Sequence, residues 1–236
     1  MIGDWISSPE WQALALSARV AVWCTLIGLP IAVTLGWLLA RKSFAGKKLV
    51  EALLPLPMVL PPVVPGYILL LLFGRYGWLG APLYHYFGVS LAFHWSGAVL
   101  ASLVVGFPLL IQPVRLSFQL IDPRLEQAAR TLGAGPLKVF LTITLPLASP
   151  GILAGAVLAF SRSLGEFGAT ITFVGNVAGE TRTLPLAIYS AIQQPGGEAM
   201  AMHLIVISIA ASTIALFLSQ FLSRKLQTGL GYQDHA

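Results

Sequence analysis

The chain has 236 residues, 56% of them hydrophobic and only 10% charged, with a mean hydropathy of +0.81. Soluble domains carry about 25% charged residues, so this composition excludes an ordinary soluble globule and points to a membrane-embedded chain. The formal charge of +5 comes without any Lys/Arg run interleaved with aromatics, so it implies no nucleic-acid partner.

The first twelve residues, MIGDWISSPEWQ, have no basic n-region, and the apolar block after them is too long for a signal peptide, so it reads as a retained span. A spanning helix needs roughly 20 mostly apolar residues. The first predicted span covers 16–40 and is uncharged from Val20 to Ala40. It holds the single cysteine, Cys24, which therefore forms no intramolecular disulfide.

The second predicted span, 50–73, carries one acid at its start, Glu51. It is crowded by Pro55, Pro57, Pro61, Pro62 and Pro65, followed by Gly66. Proline removes a backbone donor and clashes with the preceding turn, so this segment is not one straight helix. Broken backbone at membrane depth needs protein or a water-filled cavity around it. Two readings stay open: a kinked helix buried among its neighbours, or a discontinuous helix beside a permeation path.

The third span, 91–112, has His94 as its one ionisable group. After it comes a stretch too polar for lipid, 122–138. Asp122 suits an N-cap and Pro123 the first helical position. Leu125, Ala128, Ala129 and Leu132 recur at helical spacing, while Glu126, Gln127, Arg130 and Thr131 mostly occupy the other sides. Gly133 falls where a left-handed C-terminal cap belongs. Ala134 and Gly135 lead to Pro136, which can open a second helix, and Pro146 and Pro150 punctuate the way into the fourth span. A small-residue stripe on a capped helix suits close approach by a partner. The alternative is a turn packed on its own bundle.

The fourth span covers 147–167 and contains Arg162 and Glu166, four apart, which share a face on a continuing helix. Ionisable groups at that depth are costly and are often functional. They form either a neutralised anchor at the span end or a held cation beside the path of an anion. Ser163, Gly165 and Phe167 adjoin them, and Gly165 and Gly168 would let the backbone bend or approach a symmetry mate. Segment 182–194 is too short to span. It places Leu184, Ile188, Ala191 and Ile192 on one face and reads as a re-entrant or interfacial helix. The fifth span covers 202–222. No internal repeat, low-complexity tract or second domain appears, so residues 1–236 form one domain.

Ten of the fourteen basic residues lie in three regions: Arg41 to Lys48, Arg115 to Lys138, and Arg224 with Lys225. Five alternating spans put all three on one side, which the positive-inside rule makes cytoplasmic. The N-terminus is then outside, the C-terminus inside, and 122–138 cytoplasmic. Arg75 and Arg182 fall outside, as solvated residues.

The chain lacks a G-x-x-x-x-G-K-[ST] phosphate loop: Gly46, Lys47 and Lys48 have neither the spacing nor the hydroxyl residue. It should not hydrolyse ATP itself. His85, His94, His203 and His235 are scattered, so no metal site is expected. Ser161 and Ser163 have no evident His/Asp partners, which counts against a membrane hydrolase. A passive channel or secondary transporter would need no docking loop.

The loop resembles the EAA coupling motif of binding-protein-dependent ABC importer permeases: EAA, three residues, Gly, nine residues, Ile-x-Leu-Pro. Ala128, Ala129, Gly133, Ile143, Leu145 and Pro146 match at that spacing, and the motif's glutamate position is Gln127, with Glu126 beside it. The runs SRSLGEFGA (161–169), ITFVGN (171–176) and GETRTLP (179–185) are similar to the sulfate and molybdate branch, most of all to its molybdate permeases. So are Ile188 with Tyr189, PGGE (195–198), PEWQ (9–12) and LPPVV (60–64).

The resemblance implies an all-α, five-span, type I importer permease that carries molybdate inward, with sulfate, thiosulfate or tungstate as alternative cargo. It also implies a homodimer in the bacterial inner membrane. Two copies of an ATP-binding subunit would hold ATP and Mg and grip Glu126 to Ala129 and Leu132 to Ala134, and an extracytoplasmic binding protein would deliver substrate. Pro61, Pro62, Arg162, Ser163, Gly165, Glu166 and Phe167 then border the pathway.

Overall fold

The computed structural model describes residues 9–229, with side chains as far as residue 217. The Arg224 and Lys225 side chains lie beyond that limit, and His235 lies outside the described residues. All regular structure within them is helical. In chain order the helices are α1 (Pro9–Arg41), α2 (Lys47–Leu53), α3 (Leu56–Val59), α4 (Val63–Phe73), α5 (Gly80–Phe87) and α6 (Trp95–Leu120). They continue with α7 (Pro123–Thr131), α8 (Pro136–Val139), a π-helical turn (Phe140–Thr144), α9 (Leu145–Leu164), α10 (Gly168–Phe173), α11 (Leu184–Gln193) and α12 (Glu198–Gly229).

Four helical segments are long and apolar enough to cross a membrane: Pro9–Arg41, Trp95–Leu120, Pro136–Leu164 and Glu198–Phe217. A fifth arises if Lys47–Val59 and Val63–Phe73, bent by 109° about the prolines at 61 and 62, count as one span. The break follows from chemistry: Pro61 and Pro62 offer no N–H, and Leu60 is already extended at ψ 148°. At 33 residues, α1 is about 50 Å long, which exceeds a hydrocarbon core of roughly 30 Å.

The core is the trio α1, α6 and α9. Its contact faces are built from small residues, with Ala21, Ala32, Ala98, Ala101, Ala148 and Ala159 all at most 1% exposed. Small residues let apolar helices approach closely, which is how packing substitutes for the hydrophobic effect in lipid. Leu39, Leu110, Ile111, Val114 and Phe118 fill the end nearest the basic residues. Pro150 sits inside α9, and Pro136–Leu164 runs on through Pro146 and the π turn. These prolines therefore lie within a continuous helical segment rather than ending a helix before the span.

The other end of the bundle is marked by aromatics. The Arg19 guanidinium lies 3.7 Å from the Trp95 ring centroid. The turn before α5 and α5 itself expose Tyr76, Trp78, Tyr86 and Phe87, a set typical of membrane–water interfaces. Here α11 packs against α12 and α1, with Leu184 N–H donating to Ser17 Oγ at 2.7 Å. Its buried face is Leu184, Leu186, Ala187 and Ala191, whereas Ile192 is 64% exposed. The expected stripe is thus rotated, because α11 meets two neighbours rather than one. Arg182 is also not simply solvated: it is half-buried, and its Nε donates to Asn176 Oδ1 at 2.9 Å. Arg75 is exposed and donates to the Tyr84 hydroxyl.

Candidate functional site

Two places gather the chemistry that the apolar spans lack. One is the loop between α6 and α9 at the basic end of the bundle. Asp122 Oδ1 accepts from Arg124 N–H at 2.9 Å, which satisfies one of the donors that a helix start leaves open, and Pro123 follows at the first helical position. The helix closes with Gly133 N–H on Arg130 O at 3.0 Å and Ala134 N–H on Ala129 O at 3.1 Å. That pair of bonds is a Schellman motif, and it requires the left-handed φ of +85° found at Gly133. A Cβ at Gly133 would meet nothing within 4 Å, so glycine is needed there for its backbone and not for space. The loop is short, capped at both ends and defined in direction.

Its surface is unlike that of a self-packed turn. Leu125 is 49% exposed, Leu132 88% and Leu137 70%, and Gln127 and Ala128 are exposed too, with Ala129 and Ala134 half-buried. Glu126 does not share this surface. It turns inward to accept from Arg41 Nη2 at 3.1 Å and from the Thr144 hydroxyl at 2.9 Å. The same Arg41 nitrogen donates to Ile121 O at the end of α6. One carboxylate thus ties α7 to the ends of α1, α6 and the π turn. The sequence places Glu126 on the outer sides of α7, and this clamp, with a partner 85 residues away, has no local signature. Nearby, Glu51 accepts from Arg115 at 2.7 Å, which joins α2 to α6.

The second place is the end of α9. Arg162 Nη1 lies 2.7 Å from Glu166 Oε2, and the other oxygen, Oε1, accepts from Ala169 N–H at 2.9 Å. Glu166 is 2% exposed, whereas the Arg162 side chain keeps 31% exposure. Glu166 therefore does two jobs: it neutralises Arg162 and satisfies a free donor at the start of α10. Gly168 lies directly against Pro62, with no room there for a Cβ. Through that contact the Pro61–Pro62 break of the second span meets the Arg162–Glu166 pair. Ser163 is buried, and Phe167 packs its ring on Tyr189 with centroids 5.2 Å apart. Gly165 has a φ of −95° that suits any residue, and a Cβ there would meet nothing of this chain closer than 4.0 Å. Of the two glycines, Gly168 carries the close approach, and it approaches this chain's own Pro62.

A family model described as the inner membrane component of binding-protein-dependent transport systems matches residues 32–228. The chain belongs to this family. It is accordingly a multi-pass inner-membrane transport subunit. The chain is 55% identical over 219 residues to the molybdenum transport system permease protein ModB of Escherichia coli K12, covering 93% of this chain and 96% of that protein. It is 56% identical over 222 residues to ModB of Haemophilus influenzae, covering 94% and 97%. In fold it is similar to a bacterial ABC transporter involved in the import of alginate, with a TM-score of 0.75 at 16% identity, over 95% of this chain and 82% of that one.

Proposed function

We propose that the chain is the membrane-spanning subunit of an ATP-driven importer of molybdate. It works as a homodimer with the translocation path on the two-fold axis, and the bent pair α2–α4 counts as the second of five spans. Two copies of an ATP-binding subunit grip the loops at the cytoplasmic, basic end, and a molybdate-binding protein delivers substrate to the opposite face. ATP and Mg belong to the partner, since the sequence has no phosphate loop. The substrate assignment is supported by the molybdenum transport permeases that the chain matches over nearly its whole length. The observation that carries the coupling role is a helix capped at both ends whose leucines, Leu125 and Leu132, point away from the chain's own core.

Closure of the ATP-binding pair moves α7. Because Glu126 ties α7 to Arg41 and Thr144, that motion passes into α1 and α9 instead of dissipating in a slack connection. Tilting of these core helices opens the path outward. Within it, Arg162 lends positive potential to a passing dianion, and Glu166 holds the guanidinium in place while offsetting its charge. An unopposed cation would trap the anion, and conduction requires binding weak enough for release.

The test is uptake of labelled molybdate by the permease reconstituted with its ATP-binding and substrate-binding partners. Replacing Gly133 with leucine should leave ATP hydrolysis running while uptake falls. Normal ATP-dependent uptake in that variant would remove the coupling role. Excess sulfate should leave molybdate uptake unchanged, and inhibition by sulfate would shift the cargo to that anion.

A further inference from the structure

Behind the loop, between α1 and the π turn, lies a cleft of about 560 Å³ that shares Glu126 and Thr144 with the clamp but whose open space the coupling and translocation described above do not use. Trp37 and Phe140 form its floor, with ring centroids 6.0 Å apart and planes at 79°. Thr34 and Thr144 flank them, and Lys42 and Arg130 stand at the rim. Neither rim cation has an acidic partner among the described residues. Lys42 Nζ stands 6.0 Å from the Trp37 ring centroid. The carboxylate that also lines the cleft, Glu126, is already engaged by Arg41 and Thr144. The cleft therefore keeps uncompensated positive charge.

Its depth and lining narrow the occupant. Thr34 precedes Arg41 by seven residues, which at helical rise puts it roughly 10 Å inside the end of α1. A rim of cations over an aromatic and apolar floor reproduces the polarity gradient at the surface of a bilayer. A soluble anion would use the rim and leave the floor bare, whereas a phospholipid fills both. The π turn shapes the cavity, since it supplies Phe140 and Thr144 to the wall, and such turns occur frequently at functional sites.

The geometry points to a binding site for the headgroup of an anionic phospholipid, with its phosphate at Lys42 and Arg130 and its glycerol and upper acyl chain against Trp37 and Phe140. Basic pockets at the cytoplasmic ends of membrane helices recognise lipids by this chemistry. Lys42 follows α1 and Arg130 belongs to α7, so a bound lipid braces the loop beside the Glu126 clamp. The site requires only that the chain lie in a bilayer, and it stands whether or not the cargo is molybdate.

The test is native mass spectrometry of the full-length permease in detergent, titrated with phosphatidylglycerol or with phosphatidylcholine of the same acyl chains. Phosphatidylglycerol should be retained on the order of tenfold better. The double variant Lys42→Gln/Arg130→Gln should lose that preference, and each single variant part of it. Lys48→Gln, an exposed lysine outside the cleft, should keep it. Equal retention of the two lipids, or an unchanged preference in the double variant, overturns the site. Displacement of the lipid by millimolar inorganic phosphate would give the cleft to a soluble anion and overturn the lipid assignment.

Discussion

Two glutamates hold two short helices by the same device in different surroundings. Glu126 accepts from an arginine and a threonine at the basic end with its side chain 15% exposed, whereas Glu166 forms an ion pair with an arginine and accepts from a backbone N–H with only 2% exposed. Water shares the cost of separating the first pair, so it acts as a latch that the loop can strain against. Little water reaches the second carboxylate, and loss of it strands a cation at membrane depth. Ion pairs that keep some contact with water contribute less net stability, while breaking a buried one leaves an uncompensated charge. In the proposed cycle the first glutamate passes motion into the bundle, whereas the second holds the end of α9 to the start of α10.

The largest effect should come from Glu166→Ala, which removes the partner of Arg162 and the acceptor of Ala169 N–H together. The expected loss is about 2–3 kcal/mol, read from unfolding of the purified protein in detergent. Glu166→Gln keeps an acceptor for Ala169 and should lose distinctly less. Equal losses would mean that the cap contributes nothing. Next comes Gly168→Ala, whose methyl runs into Pro62 and should cost about 1–3 kcal/mol through overpacking. The matching change Gly165→Ala should stay within about 0.5 kcal/mol. If the two alanine variants are equally stable, the contact between the proline break and α10 is looser than its geometry indicates.

These pairs also show what was legible in the sequence. The Arg162–Glu166 pair is separated by one helical turn, so periodicity alone brings it together. The Asp122 cap and the Gly133 stop are equally local, and both are found where composition places them. The apolar blocks mark the long helices because a span writes its length directly into hydropathy. The Glu126–Arg41 clamp was not legible, since its partners are far apart in sequence and nothing local turns a helical glutamate inward. The π turn is likewise silent: FLTIT is ordinary helix-compatible sequence, and the wider turn appears only once Phe140 packs on Trp37 and Thr144 reaches Glu126. The proline cluster announced a break, but not its 109° angle or the contact of Pro62 with Gly168, which joins residues far apart in sequence.

At the Glu126 clamp the effects should be smaller in stability and larger in function. Glu126→Gln should cost about 1 kcal/mol yet lower the molybdate taken up per ATP hydrolysed, because α7 would move without pulling α1. An unchanged ratio would mean that the clamp is only a packing detail. The smallest effect should be that of Gln127→Glu, which restores the carboxylate of the coupling motif. Gln127 is exposed, so stability should change by less than about 0.5 kcal/mol. The informative experiment combines the two substitutions. A carboxylate at 127 sits about 100° around the helix from 126, away from Arg41 and Thr144, so the double variant should couple as poorly as Glu126→Gln alone. Recovery of coupling would move the carboxylate's role from the internal clamp to the surface that meets the ATP-binding subunit.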